Sequence, residues 1–183
     1  MKNFIPLLTL FSFVVIFAAM PAQAKTGVGD PLPHNLMTLN QDGANANFET
    51  IVGEKGLVLV FVRSLDWCPY CKSQVVELSK HQKEIEDLGY NIASISYDKP
   101  ETLKSFAEKF DVELILLSDE GSDVIKAFGI LNEEFDADHF AYGVPHPHIY
   151  IISKDANVLE VLAEEGYKER PSIKSILESL GSQ

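Results

Sequence analysis

Six consecutive apolar residues, Leu57-Val58-Leu59-Val60-Phe61-Val62, lead into a five-residue loop and then into two cysteines, Cys68 and Cys71. A continuous run of this kind, rich in β-branched residues, suits a central strand covered on both faces. After the cysteines, Val75, Leu78, Ile85 and Leu88 recur at spacings of three, seven and three among charged residues, and Gly89 follows. That pattern predicts one amphipathic helix from Pro69 to Leu88, closed by the glycine. The sulfur pair therefore stands where a buried strand hands over to a helix.

The rest of the chain continues the alternation. Strands are expected over Asn91–Tyr97, Val112–Leu117 and His148–Ile152, with Asn157–Leu162 as an antiparallel partner across Lys154-Asp155-Ala156. Helices are expected over Pro100–Phe110, Ser122–Phe128 and Pro171–Leu180, two of them with proline at the start. Lys25 to His34 reads as an extended lead-in. Such an order implies an α/β fold with a central mixed β-sheet and helices on both faces. There is no internal repeat and no linker rich in Gly, Ser or Pro.

The N-terminus reads as an address. Lys2 precedes an apolar run from Phe4 to Ala19, and Ala22-Gln23-Ala24 offers small residues for cleavage before Lys25. This predicts a signal peptide over residues 1–24 and one domain over residues 25–183, working in a periplasm or outside the cell. Contact with a membrane is expected only through that leader. The 183-residue chain carries 27 acidic against 15 basic residues, a net charge of −12, and loss of Lys2 makes it one unit more negative. An acidic surface repels nucleic acid, so no nucleic-acid partner is expected.

Two cysteines separated by two residues close too small a loop to stabilise a fold by constraining the unfolded chain. They are also too few for a four-cysteine zinc site. Their position favours redox chemistry instead. A cysteine at a helix start faces free backbone N–H groups and the positive end of the helix dipole, which favour its thiolate. On this argument Cys68 is the nucleophile and Cys71, one turn deeper, resolves the mixed disulfide. Trp67, Pro69 and Tyr70 would form the surface around the sulfur, and Arg63 would help to bind substrate or stabilise the thiolate. The segment Gly143-Val144-Pro145-His146-Pro147-His148 precedes the later strand, and His146 and Pro147 are expected to line the same groove.

The stretch from Val58 to Arg63 and on through Trp67-Cys68-Pro69-Tyr70-Cys71 resembles AhpC/TSA-type peroxiredoxin-like proteins, the redoxin branch of the thioredoxin superfamily. Ile95-Ser96-Tyr97-Asp98, Phe106 to Phe110, Leu117-Ser118-Asp119, Phe128-Gly129-Ile130 and the lead-in Val28 to Pro33 continue the likeness. It implies a thioredoxin-like fold, a cysteine redox centre without a cofactor, and a cis-proline before the later strand, best matched by Pro147. Departures are equally plain. Peroxiredoxins place Thr or Ser three residues before the attacking cysteine, a proline further upstream, and an arginine near the later strand. Here Leu65 stands three before Cys68, Phe61 seven before, and Pro147 near the arginine's place. If Cys71 attacks, Cys68 itself occupies the Thr position.

Without those groups to polarise a peroxide, the sequence favours an exported thiol–disulfide oxidoreductase, regenerated by a thiol electron-donor protein. The alternative is a peroxiredoxin-like thiol peroxidase acting on hydroperoxides. A third reading is copper delivery in the manner of Sco-type metallochaperones, with two thiolates and His146 as soft and imidazole ligands.

Overall fold

The structure is a computed structural model that describes residues 24–183. The signal-peptide expectation falls, except for Ala24, on residues outside that range. Among the described residues no helix is long and apolar enough to cross a membrane.

The chain order is β1 (Thr38–Asn40), β2 (Asn45–Ala46), α1 (Phe48–Ile51), β3 (Gly56–Phe61), α2 (Pro69–Lys80), α3 (Gln82–Asp87), β4 (Tyr90–Ser96), α4 (Pro100–Phe110), β5 (Ile115–Ser118), α5 (Asp123–Ala127), β6 (His148–Ser153), β7 (Val158–Leu162) and α6 (Ile173–Gly181). Seven strands form one mixed sheet in the order β2-β1-β5-β4-β3-β6-β7. β3 pairs parallel with β4 and antiparallel with β6, so the expected central strand is central. All six of its residues are buried.

Strand alternation divides the core in two. Val58 and Val60 face a cluster with Val75 and Leu78 of α2, Ile85 of α3, Phe106 of α4, and Ile176 and Leu180 of α6. Leu57, Leu59 and Phe61 face the other way, onto Phe48 and Ile51 of α1, Val124 and Ile125 of α5, Phe128 and Tyr150. Both faces are thus helix-covered, which explains why β3 reads as an unbroken apolar run rather than an alternating one.

Two expectations are corrected here. The helix after the cysteines is not continuous to Leu88, because it breaks at His81, whose backbone closes α2 and opens α3. Evenly spaced apolar residues on both sides of the break hide it from periodicity. The peptide bond before Pro147 is trans, as is every peptide bond among the described residues. The chain there is held extended by a bridge between Pro145 and Leu131 and by His146 N–H donating to Ile130 O at 2.7 Å. That ladder carries the backbone straight into β6.

A candidate dithiol redox site

The loop that follows β3 is fastened before it reaches the cysteines. Val62 N–H still donates to Ile95 O, and the next residues turn over the carboxyl ends of the parallel pair β3/β4. Asp98, buried just past β4, takes hold of them. Its carboxylate accepts from Ser64 Oγ at 2.7 Å, Leu65 N–H at 2.6 Å and Ser96 Oγ at 2.8 Å. Burial pushes its pKa up against these stabilising donors. Ser118 Oγ donates to the Asp98 carbonyl at 2.7 Å and ties β5 to the same corner. On the outer side Trp67 Nε1 donates to Tyr97 Oη at 2.9 Å.

Cys68 then caps α2 with extended backbone, and Pro69 takes the first helical position, where a missing N–H costs nothing. Cys71 N–H donates to Cys68 Sγ at 3.4 Å, so one turn of helix brings the sulfurs together as expected. Both cysteines are free thiols and both are buried.

Their surroundings are not equal. Cys71 is lowered to about 6, first by its hydrogen bond with the Cys68 thiol, against burial, and further by the N–H groups of Ser64 and Arg63 and by Arg170. Arg170 Nη2 lies 3.6 Å from Cys71 Sγ, and its Nε donates to Gln74 Oε1 at 3.0 Å. The Cys68 thiol is pushed up, by the hydrogen bond to Cys71 and by burial. Beyond its partner thiol, Cys71 has the Arg170 guanidinium and two loop N–H groups beside its sulfur, and Cys68 has the Cys71 N–H.

The aromatic surroundings gather several of the expected residues. The Arg63 guanidinium carbon lies 4.5 Å from the ring centroid of Tyr167, 5.0 Å from that of Trp67 and 5.4 Å from that of Phe135. Tyr70 meets Tyr167 edge-on at 5.9 Å, and Trp67 meets Phe140 at 5.3 Å. Pro69 and Tyr70 are exposed beside the pair. Next to them opens a cleft of about 310 Å³ lined in part by Tyr70, Gln74, Lys168, Arg170 and Ser172. His146 is exposed and Pro147 half-buried, and neither shares a hydrogen bond or ring contact with the cysteines. Among the described residues no three His, Cys, Asp or Glu side chains converge as a metal-binding group, so the thiolate-plus-His146 set is not assembled.

Sequence reasoning missed Arg170, Tyr167, Gln74 and Asp98. One signal was available for the first. The chain has 15 basic residues, of which only Arg63 and Arg170 are arginines, and both stand at this centre. Lysine serves an exposed acidic surface well, whereas a planar guanidinium suits buried, directional contact.

The family model described as AhpC/TSA matches residues 28–161, which include the whole loop, both cysteines and β6. The chain belongs to the AhpC/TSA family. Peroxiredoxin Bcp of Escherichia coli (strain K12) is 35% identical over 95 residues, 52% of this chain and 60% of that protein. The chain thus matches less than two thirds of that relative's length. The thiol-disulfide oxidoreductase ResA of Bacillus thuringiensis subsp. konkukian is 22% identical over 149 residues, 81% of this chain and 76% of that protein. Among solved structures, the peroxidoxin BcpB from Mycobacterium tuberculosis superposes with a TM-score of 0.73 at 22% identity, over 86% of this chain and 97% of that one. A peroxiredoxin-like protein from Aquifex aeolicus gives 0.72 at 21% identity, over 88% and 90%. These likenesses establish the thioredoxin-like fold.

Proposed function

We propose that this protein is an exported thiol peroxidase that reduces hydroperoxides at the Cys68–Cys71 pair, with Cys71 as the attacking thiolate and Cys68 as the resolving thiol. The observation that carries the reading is the set of donors around Cys71 Sγ, namely the Arg170 guanidinium at 3.6 Å and the Ser64 and Arg63 N–H groups. This reverses the order expected from the helix cap alone, which named Cys68. It also favours peroxide reduction over the disulfide exchange first expected, in keeping with relatives named peroxiredoxins. The missing Thr and strand arginine were the argument against peroxide chemistry. Cys68 stands in the place of the first, and Arg170 brings a guanidinium to the sulfur from elsewhere.

In the proposed cycle the Cys71 thiolate attacks one peroxide oxygen. The O–O bond breaks, the alkoxide or hydroxide leaves and takes up a proton, and Cys71 becomes a sulfenic acid. Arg170 and the two N–H groups offset negative charge as it moves from sulfur to oxygen. Cys68 then attacks the sulfenic sulfur, water leaves, and the Cys68–Cys71 disulfide forms. Two electrons from a thiol donor protein restore the pair. Cysteine sulfur does the redox work, so no other cofactor is needed. A second reading, thiol–disulfide exchange at the same pair, is favoured by the likeness to ResA over most of the chain.

The deciding experiment is stopped-flow oxidation of the reduced protein by hydrogen peroxide, followed through Trp67, the only tryptophan. A rate constant orders of magnitude above that of a free thiol is expected. Cys68→Ser is expected to accumulate a dimedone-reactive sulfenic acid on Cys71, whereas Cys71→Ser forms none at a comparable rate. Free-thiol rates in the wild type would leave disulfide exchange as the work of the site. A fast sulfenic acid on Cys68 would restore it as the attacker.

Export rests on the leader pattern of residues 1–24. A chain recovered outside the cytoplasm with an intact mass beginning at Lys25 is expected. A chain retained in the cytoplasm with the leader attached would reject it.

A further inference from the structure

Arg63 is charged, buried and without an anionic partner. Its residue is 7% exposed, and its Nε is wholly buried with no acceptor. Among the described residues it joins no ion pair, and its Nε has no hydrogen-bond partner. What surrounds it is Trp67, Phe135 and Tyr167. Ring faces attract a cation, but they do not accept its planar N–H donors as an oxyanion does. A buried charge left in this state is expensive, and native structures keep few such groups without a reason.

The chain had acids available to neutralise it. Phe135 is flanked by Glu134 and Asp136, and Tyr167 lies between Glu165 and Glu169. In each segment the aromatic side chain faces the guanidinium. Glu134 is engaged elsewhere: its carboxylate accepts from Asn132 Nδ2, and its backbone N–H donates to Asn132 Oδ1. The arrangement leaves the positive charge without an anion of the chain's own, beneath Tyr167 in an aromatic box, one residue from the Ser64 N–H that faces Cys71.

We propose that Arg63 is the receptor for the carboxylate of a small organic molecule that reacts at the Cys71–Cys68 pair. This rests on the redox reading of the site and adds a substrate class to it. Two reactants share the chemistry, a carboxylate-bearing hydroperoxide that meets the reduced pair and a carboxylate-bearing thiol that meets the oxidised pair. Tyr167, itself 43% exposed, forms the outer wall of the box, so an entering carboxylate reaches the guanidinium by displacing that ring. The aromatic walls then flank the hydrocarbon part of the ligand.

Trp67 reports on this box directly. The probes are benzoate and its neutral counterpart benzamide, titrated into the reduced and the oxidised protein while Trp67 emission is read. Benzoate is expected to give a saturable change with an affinity at least tenfold above that of benzamide. Preference for the reduced form identifies the oxidant as the natural carboxylate, and preference for the oxidised form identifies the reductant. Arg63→Met is expected to lose the benzoate response while melting no lower than the wild type, because the apolar residue removes an unpaired buried charge. Arg63→Lys keeps the charge and is expected to keep part of the response, which separates loss of the receptor from loss of the fold. Equal binding of benzoate and benzamide, or undiminished benzoate binding in Arg63→Met, overturns the proposal. None of these readings uses peroxidase turnover, so failure here is distinct from failure of the peroxide assay.

Discussion

Arg170 and Cys71 meet across 99 residues of sequence, guanidinium Nη2 to sulfur at 3.6 Å. The contact is made from the segment that precedes α6, and Gln74 of α2 fixes its angle through Arg170 Nε. A cation this close favours the thiolate over the thiol by typically 1–3 pKa units. With Cys71 lowered to about 6, thiolate-dependent reaction is present above that pH and lost as pH falls through it. Arg170→Gln is expected to move the midpoint upward by only part of that lowering, because the Cys68 hydrogen bond and the loop N–H groups contribute more, and Arg170→Lys by less still. Thiolate absorbance at 240 nm against pH, with peroxide oxidation rate beside it, checks both. A midpoint unmoved in Arg170→Gln would show that the backbone N–H groups and Cys68 suffice.

Asp98 is the anchor of the cysteine loop, and its carboxylate is the part that can be tested. Asp98→Ala leaves the Leu65 N–H and two serine hydroxyls without their acceptor. At roughly 1–3 kcal/mol for each orphaned buried donor, a loss of at least about 3 kcal/mol is expected in denaturant melts. The pH dependence has a definite sign. Burial raises this carboxyl, so in the window above the ordinary carboxylate value of 3.8 the folded chain binds a proton that the unfolded chain has released. Stability contributed by Asp98 therefore falls as pH rises through that window. Asp98→Asn has no such slope, and the stability difference between wild type and this variant is expected to shrink with rising pH. A parallel pair of stability curves would mean that the carboxyl is not raised.

How much of this was legible follows from which signals are local. Val58 to Val62 and the helical spacing after Cys71 are long patterns, and they placed β3 and the start of α2 but missed the break at His81. Pro100 to Phe110 matched α4 to the residue, because Pro opens it and Asp111 in left-handed conformation closes it. β1, β2 and α1 went unread, since elements of two to four residues have no period to detect. Arg170 and Tyr167 were invisible for a different reason. They sit in an exposed stretch without regular structure, and only the folded chain brings them over Cys71 and Arg63. The loop before β6 carried a misleading expectation, as the family resemblance implied a cis bond at Pro147 where the peptide is trans.

Gly56 offers a sharp test of the sheet. It pairs with Tyr90 on one side and Ser153 on the other. A Cβ there would fall 2.0 Å from the Ile152 carbonyl oxygen and 2.8 Å from the Tyr90 ring. Backbone cannot yield as a flexible side chain can, so β3 and β6 would have to part. Gly56→Ala is expected to cost roughly 3 kcal/mol or more, seen as a large drop in melting temperature or in soluble yield. A variant within about 1 kcal/mol of wild type would mean that the strands are spaced more widely than described.

Tyr97 joins the redox loop to the segment carrying Phe140. Its hydroxyl accepts from Trp67 Nε1 at 2.9 Å and donates to the Phe140 carbonyl at 3.2 Å. Burial holds its pKa above the ordinary phenol value, so the hydroxyl keeps its proton and serves both partners throughout the neutral range. Tyr97→Phe removes both bonds without opening a cavity. The loss of stability is expected to be about 1 kcal/mol, the usual net worth of such contacts. The larger effect is expected locally. Trp67 would lose the hydrogen-bond partner of its Nε1 and part of its support against Phe140, and its emission would change while the rest of the fold stays intact. Because Trp67 is also a wall of the box around Arg63, the same variant is expected to weaken benzoate binding several-fold without moving the Cys71 titration. A shift of that titration in Tyr97→Phe would instead show that this outer contact, and not only Asp98, sets the position of the loop that faces the sulfur.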